Sequence, residues 1–81
     1  MRLDKYLKVS RLIKRRTVAA AVSDMGRVFV NGNPAKPAKQ LKVGDIIEIE
    51  YSNRTEKYEV LIVPTGNVSV QDSGALYKAV E

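Results

Sequence analysis

The sequence predicts an α+β fold, with two short N-terminal helices packed on a small, mostly antiparallel sheet of about four to five short strands. A short C-terminal helix completes it. Three observations lead there. Apolar residues recur at helical spacing as far as Met25, the pattern changes to alternation at Val28, and turn signals then punctuate the rest of the chain. At 81 residues the chain makes one domain with a thin core.

The first helix is expected over residues 2 to about 9. Leu3, Tyr6, Leu7 and Ser10 share one arc, with Asp4, Lys5 and Lys8 mostly opposite. Asp4 lies in the first turn, where the helix dipole favours an anion, and four residues before Lys8. Local helix support and a functional role both remain open for it. Lys14-Arg15-Arg16-Thr17 reads as the connection to a second helix, with Thr17 as its cap. Val18, Val22 and Met25 give that helix a buried stripe, alanines 19 to 21 allow close approach to a neighbour, and Gly26 suits a left-handed C-terminal cap.

Val28 and Val30 then alternate with Arg27 and Phe29, and Asn31-Gly32 is the strongest hairpin signal in the chain. Asn33 to Lys36 is the return strand, kept short by Pro34 and Pro37. Lys42 to Asp45 is a turn in which Asp45 bonds backbone amides. Ile47, Ile49 and Tyr51 alternate with Glu48 and Glu50 as a half-buried strand. Ser52 to Thr55 turns the chain, and Lys57 to Val63 is another strand with Tyr58, Val60 and Ile62 on one face. Pro64-Thr65-Gly66 ends it. Residues 67–81 form a C-terminal extension, docked as a short helix through Leu76, Tyr77 and Val80, although Gly74 opposes helix there.

Composition narrows the function. The net charge is +5, but residues 1–42 carry +9 and residues 43–81 carry −4. Such asymmetry points to a polyanion met by one side of the molecule, nucleic acid foremost. The chain has no cysteine and no histidine, which removes disulfides, thiolate zinc sites, the commonest general base and the commonest metal ligand. No Gly-rich phosphate loop, metal-ligand cluster or nucleophile–base pair is present, so neither an enzyme, a metal nor a cofactor is expected. The longest apolar run, Val18 to Val22, falls far short of the roughly 20 residues a membrane span needs, so a soluble cytoplasmic protein is expected. DNA reading through a helix-turn-helix is disfavoured, because the second helix offers alanines where base-reading side chains would stand.

The order of these motifs resembles a known family. Arg2-Leu3-Asp4-Lys5-Tyr6-Leu7, Arg16 opening the second helix, Gly26-Arg27-Val28, Val30-Asn31-Gly32 and Val43-Gly44-Asp45 are similar to the RNA-binding domain first described in ribosomal protein S-four. That S-four-type domain, with its alpha-L motif, also occurs in tyrosyl-tRNA synthetases and pseudouridine synthases. Arg15 stands where the family often has serine. The resemblance covers about residues 1–51 as core motif, with 52–66 as a strand extension and 1–66 as the RNA-binding domain. The opening through Thr17 most resembles the stand-alone RqcP-like (YabO) branch, related to the heat-shock-fifteen ribosome-associated proteins, so a whole short protein is expected.

The resemblance implies a ribosome-associated, non-enzymatic role. Proteins of that branch bind obstructed large ribosomal subunits, contact large-subunit rRNA and tRNA, and keep peptidyl-tRNA in the P site while RqcH adds an alanine tail. A general rRNA-binding factor for assembly or subunit recycling stays open, as does a protein-interaction module, and a monomer is expected off the ribosome. The implied RNA-binding residues are Arg2, Lys5, Lys8, Arg11, Lys14, Arg15, Arg16 and Arg27. Arg2 and Arg16 match the family motif and are expected to define the site. Arg27 either reaches the same groove or neutralises the carbonyl end of the second helix. Lys36, Lys39 and Lys42 enlarge the field, and Phe29 is the one candidate for stacking a base. The acids Glu48, Glu50, Glu56 and Glu59, on the solvent side of strands, either keep the basic half soluble and orient their own side away from phosphate or face a basic protein partner.

Overall fold

In the computed structural model, residues 1–64 and 73–80 are described. Helix α1 (Leu3–Val9) forms because Leu3, Tyr6 and Leu7 share a stripe that is completely buried. Ser10 ends it by donating its hydroxyl to the Leu7 carbonyl at 3.2 Å, and Arg11 takes a left-handed conformation with φ 64°. Helix α2 (Arg16–Asp24) follows. It closes in a Schellman motif: Gly26, at φ 76°, donates to Ser23, and Arg27 donates to Val22, both at 3.0 Å.

Two expectations for α2 need correction. Thr17 is not its cap. The extended residue before the helix is Arg15, which has no acceptor to offer, and Thr17 lies exposed inside the first turn. Nor do Val18, Val22 and Met25 form the buried stripe. Ala19 and Ser23 are buried, Val22 is half-buried, and Val18 and Met25 are 46% and 63% exposed. The helix is turned by about one residue because only small side chains fit where it lies against α1, and Ser23 satisfies its hydroxyl on the Ala19 carbonyl at 2.8 Å.

The sheet contains β1 (Val28–Val30), β2 (Asn33–Pro34), β3 (Ile46–Glu50), β4 (Thr55–Val60) and β5 (Tyr77–Val80), in the order β2-β1-β3-β4-β5 with every neighbouring pair antiparallel. Asn31 and Gly32 both have positive φ, at 52° and 84°, as the two-residue hairpin requires. Register places Val28 opposite Ile49 and Val30 opposite Ile47, so these four face the helices together, with Val60 completing the row. Asp45 acts as foreseen, accepting the Lys42 amide at 3.0 Å. It also accepts the Asn31 side chain at 3.1 Å, while Asn31 accepts the Ile46 amide at 3.0 Å. That latch ties the hairpin to the start of β3.

The second half differs from expectation at its end. The strand does not run to Val63. It stops at Val60, and the amides of Leu61 and Ile62 both turn to the Leu76 carbonyl, at 2.8 and 3.1 Å, leaving Ile62 exposed. The expected C-terminal helix is replaced by a 3-10 turn (Ser73–Leu76) and β5. The physical reason is that β4 would otherwise leave an open edge, and pairing covers it. Leu76 reaches the core, and Tyr77 packs edge-on against Tyr58 with ring centroids 5.3 Å apart. The expectation for residues 67–72 and 81 lies outside the described residues. Phe29 is half-buried on the sheet face opposite the helices, beside Pro34 and Glu48. Among the described residues, no helix is long and apolar enough to cross a membrane.

Candidate nucleic-acid interface

The centre of the basic face is an acid. Asp4 is 4% exposed, at the start of α1. Its Oδ1 accepts the Lys5 amide at 2.8 Å and Arg2 Nε at 3.2 Å; Oδ2 accepts Arg2 Nη2 at 3.3 Å and pairs with Arg16 Nε at 3.4 Å. Burial works to raise the Asp4 carboxyl, but the bonds from Arg2, the Lys5 amide and Arg16 outweigh it and hold it below the ordinary aspartate value. The carboxylate therefore stays charged and holds two guanidinium groups side by side. Both arginine side chains remain about half exposed, at 47% and 49%.

An arginine offers five N–H donors, and the Asp4 contacts occupy only a few of them. With both side chains about half exposed, donors beyond the Asp4 contacts stay accessible to phosphate oxygens, which the planar guanidinium suits. Fixing them beforehand removes rotamer entropy that binding would otherwise lose. The helix-support reading of Asp4 through Lys8 is not what the geometry uses, since both oxygens go to the arginines and the Lys5 amide.

A loop brings further cations to the same end. The amides of Leu3 and Asp4 donate to the carbonyls of Lys39 and Pro37, at 2.8 and 3.1 Å, and Leu41 donates back to Met1 at 3.0 Å. Residues 37–41 are thereby pinned along the N-terminus, with an isolated bridge between Arg2 and Gln40. Lys39 thus belongs beside Arg2, a placement the linear sequence does not reveal because the contact spans most of the first half of the chain.

The expected residues fall into three groups. Arg2 and Arg16 are brought together by Asp4, with exposed Arg15 next to them and half-buried Lys5 on the following turn position of α1. Lys8, Arg11 and Lys14 are exposed around the far end of α1 and the connection that follows. Arg27 is not part of either group. It lies beyond the opposite end of α2 from Arg16, a helix of nine residues and so about 13 Å. Arg54, which no sequence signal singled out, lines the same groove as Arg27.

A family model described as the S4 domain matches residues 1–47. Two relatives named RQC P-site tRNA stabilizing factor are similar over most of the chain. The one from Streptococcus pneumoniae is 48% identical over 80 residues, covering 99% of this chain and 90% of the relative. The one from Listeria innocua is 57% identical over 63 residues, covering 75% and 68%. Among solved structures, the trimeric Heat Shock Protein 15 of Vibrio cholerae matches with a TM-score of 0.88 and 26% identity, covering 99% of this chain and 81% of that one.

Proposed function

We infer that this chain, which belongs to the S4 domain family and to the RQC P-site tRNA stabilizing factors, serves ribosome quality control as an RNA-binding protein on the large ribosomal subunit. Its relatives' name speaks of stabilising P-site tRNA. This chain does the same, touching large-subunit rRNA and peptidyl-tRNA at once, in the cytoplasm, while RqcH adds an alanine tail to the stalled nascent chain. It acts as a monomer and by binding rather than by catalysis.

One observation carries this reading: Arg2 and Arg16 are both tied to the buried Asp4 carboxylate while their side chains stay about half exposed. Two guanidinium groups with fixed separation recognise a phosphate geometry, not merely negative charge. Loss of one fork therefore costs affinity out of proportion to one unit of net charge. Arg16→Ala should weaken binding to large subunits about tenfold or more. Its effect on stability should be small, because the Arg16 side chain is half exposed and its ion pair screened. Co-sedimentation with purified large subunits, beside a thermal melt, measures both. Unchanged sedimentation of a folded Arg16→Ala protein would sink the reading. Capture from cells should enrich free large subunits carrying peptidyl-tRNA over intact ribosomes; equal enrichment would leave RNA binding but remove the quality-control role.

A further inference from the structure

The Asp4 arginines have a neutral neighbour that the backbone fixes beside them. Leu3 donates its amide to the Lys39 carbonyl at 2.8 Å, and Leu41 donates back to the Met1 carbonyl at 3.0 Å. These two bonds flank Arg2 and Gln40, which oppose each other as an isolated antiparallel bridge. Residues opposed between such bonds, rather than joined by them, form the closer kind of cross-strand pair. Their side chains emerge on one face, with Cβ atoms roughly 4.5–5.5 Å apart. Burial identifies that face. Leu3 and Leu41, the chain neighbours of the pair, are buried, whereas Arg2 and Gln40 are exposed.

The segment that carries Gln40 is anchored on both sides. The Asp4 amide donates to the Pro37 carbonyl at 3.1 Å, Lys39 donates back to the Lys36 carbonyl at 3.0 Å, and Ala35 and Leu41 are buried. Gln40 thus stands at a fixed place next to Arg2, whose guanidinium shares the Asp4 carboxylate with Arg16. The Gln40 Oε1 accepts the Met1 amino group at 3.2 Å, while its Nε2 meets no acceptor among the described residues. A neutral amide adds nothing to the electrostatic field. It adds short-range hydrogen-bonding groups of both kinds, where the arginines have donors only.

We propose that Gln40 binds the ribose 2′-hydroxyl of the nucleotide whose phosphate Arg2 holds, and so makes the arginine pair select RNA over DNA. The 2′-hydroxyl sits on the ribose carbon next to the one that bears the 3′-phosphate. A strand gripped by that phosphate therefore brings the hydroxyl within reach of the side chain beside the grip. The hydroxyl both donates and accepts, and the glutamine amide complements either role. Guanidinium and ammonium groups bind the phosphates of DNA and RNA alike, so the cations of this face cannot make the distinction. Gln40 is the neutral polar side chain that the backbone pairing sets against them.

This contact rests on Arg2 and Arg16 holding phosphate, and the test separates the two. A fluorescently labelled RNA hairpin is compared with the same hairpin carrying 2′-fluoro in place of each 2′-hydroxyl, which keeps the A-form helix. Both are titrated into the full chain at low salt and followed by anisotropy. The wild type should bind the hydroxyl form about fivefold more tightly. Gln40→Ala should bring the two affinities together by weakening the hydroxyl form alone, with an unchanged thermal melt because the side chain is exposed. Arg16→Ala should weaken both forms and keep their ratio. Equal wild-type affinities, a ratio that survives Gln40→Ala, or equal losses for both forms in that variant overturn the hydroxyl contact. Hairpin binding untouched by Arg16→Ala overturns the phosphate contacts instead, and failure to bind either hairpin overturns both.

Discussion

Asp4 decides more than any other single residue. It is the one buried acid in α1, and it converts Arg2 and Arg16 from two mobile cations into one rigid pair. The depressed carboxyl fixes the sign of its pH dependence. A carboxylate with a folded-state pKa below its unfolded value stabilises the fold at any pH above about 4, and the contribution disappears as pH falls through the lower, folded-state value. Asp4→Asn should therefore cost about 1–2 kcal/mol at pH 7, after allowing for the half-exposed arginine partners. The difference from wild type should be smaller at pH 3 than at pH 7, because the unfolded-state carboxyl takes up its proton first and the folded one follows at lower pH. Urea unfolding at the two pH values measures this, and a gap that stays constant contradicts the assignment. The residues were legible in the sequence but their pairing was not. Arg-Leu-Asp-Lys marked Arg2 and Asp4, yet nothing in the helical period says that Arg16 returns to the Asp4 carboxylate; that depends on how α2 crosses α1.

At the scale of elements, local chemistry was read best where turns dictate conformation. Asn31-Gly32 and Gly26 adopt the left-handed angles their residue types favour, and the hairpin and helix end follow. Reading was poorest where partner surfaces decide. Ala19 and Ser23 displaced Val18 and Met25 as the buried face because close packing favours small side chains over apolar ones. Leu76 to Val80 has spacing compatible with either helix or strand, and the open edge of β4 selected the strand. What secures β5 can be tested. The Tyr6 hydroxyl, from the middle of α1, donates to the Leu76 carbonyl at 2.7 Å and ties the end of the chain to its beginning. Burial, then the neighbouring Tyr77, keeps that phenol protonated well above its ordinary range, so its stabilising bond is complete below pH 10 and lost only in stronger alkali. Tyr6→Phe should cost about 1 kcal/mol. Leu76 still accepts the Leu61 and Ile62 amides, so the loss should stay local. Hydrogen exchange should accelerate in Tyr77–Val80 before the rest of the sheet; uniform acceleration would mean the bond serves the whole core instead.

Across the whole molecule, the charge asymmetry of the sequence becomes a division of surfaces. The sheet pairs several of its charges with each other, Lys57 with Glu48 at 3.7 Å and Lys78 with Glu59 at 3.6 Å, and residues 43–81 keep a net charge of −4 that repels a polyanion. The helical end has only Asp4 and Asp24 to set against Arg2, Lys5, Lys8, Arg11, Lys14, Arg15 and Arg16, with Lys39 brought alongside. A polyanion approaching from any direction is drawn to that end and presented to the fixed arginine pair. Phosphate contacts of this kind release counterions, so the logarithm of affinity for large subunits should fall linearly with the logarithm of salt concentration, by about 0.7 to 0.9 per phosphate neutralised. Arg16→Ala should reduce that slope by about one. Charge reversal of the distant, mutually paired Lys57 and Glu48 should leave the slope unchanged, because their fields already cancel. A flat salt profile, or equal sensitivity to changes at both surfaces, would show that overall charge rather than the Asp4-held pair recognises the RNA.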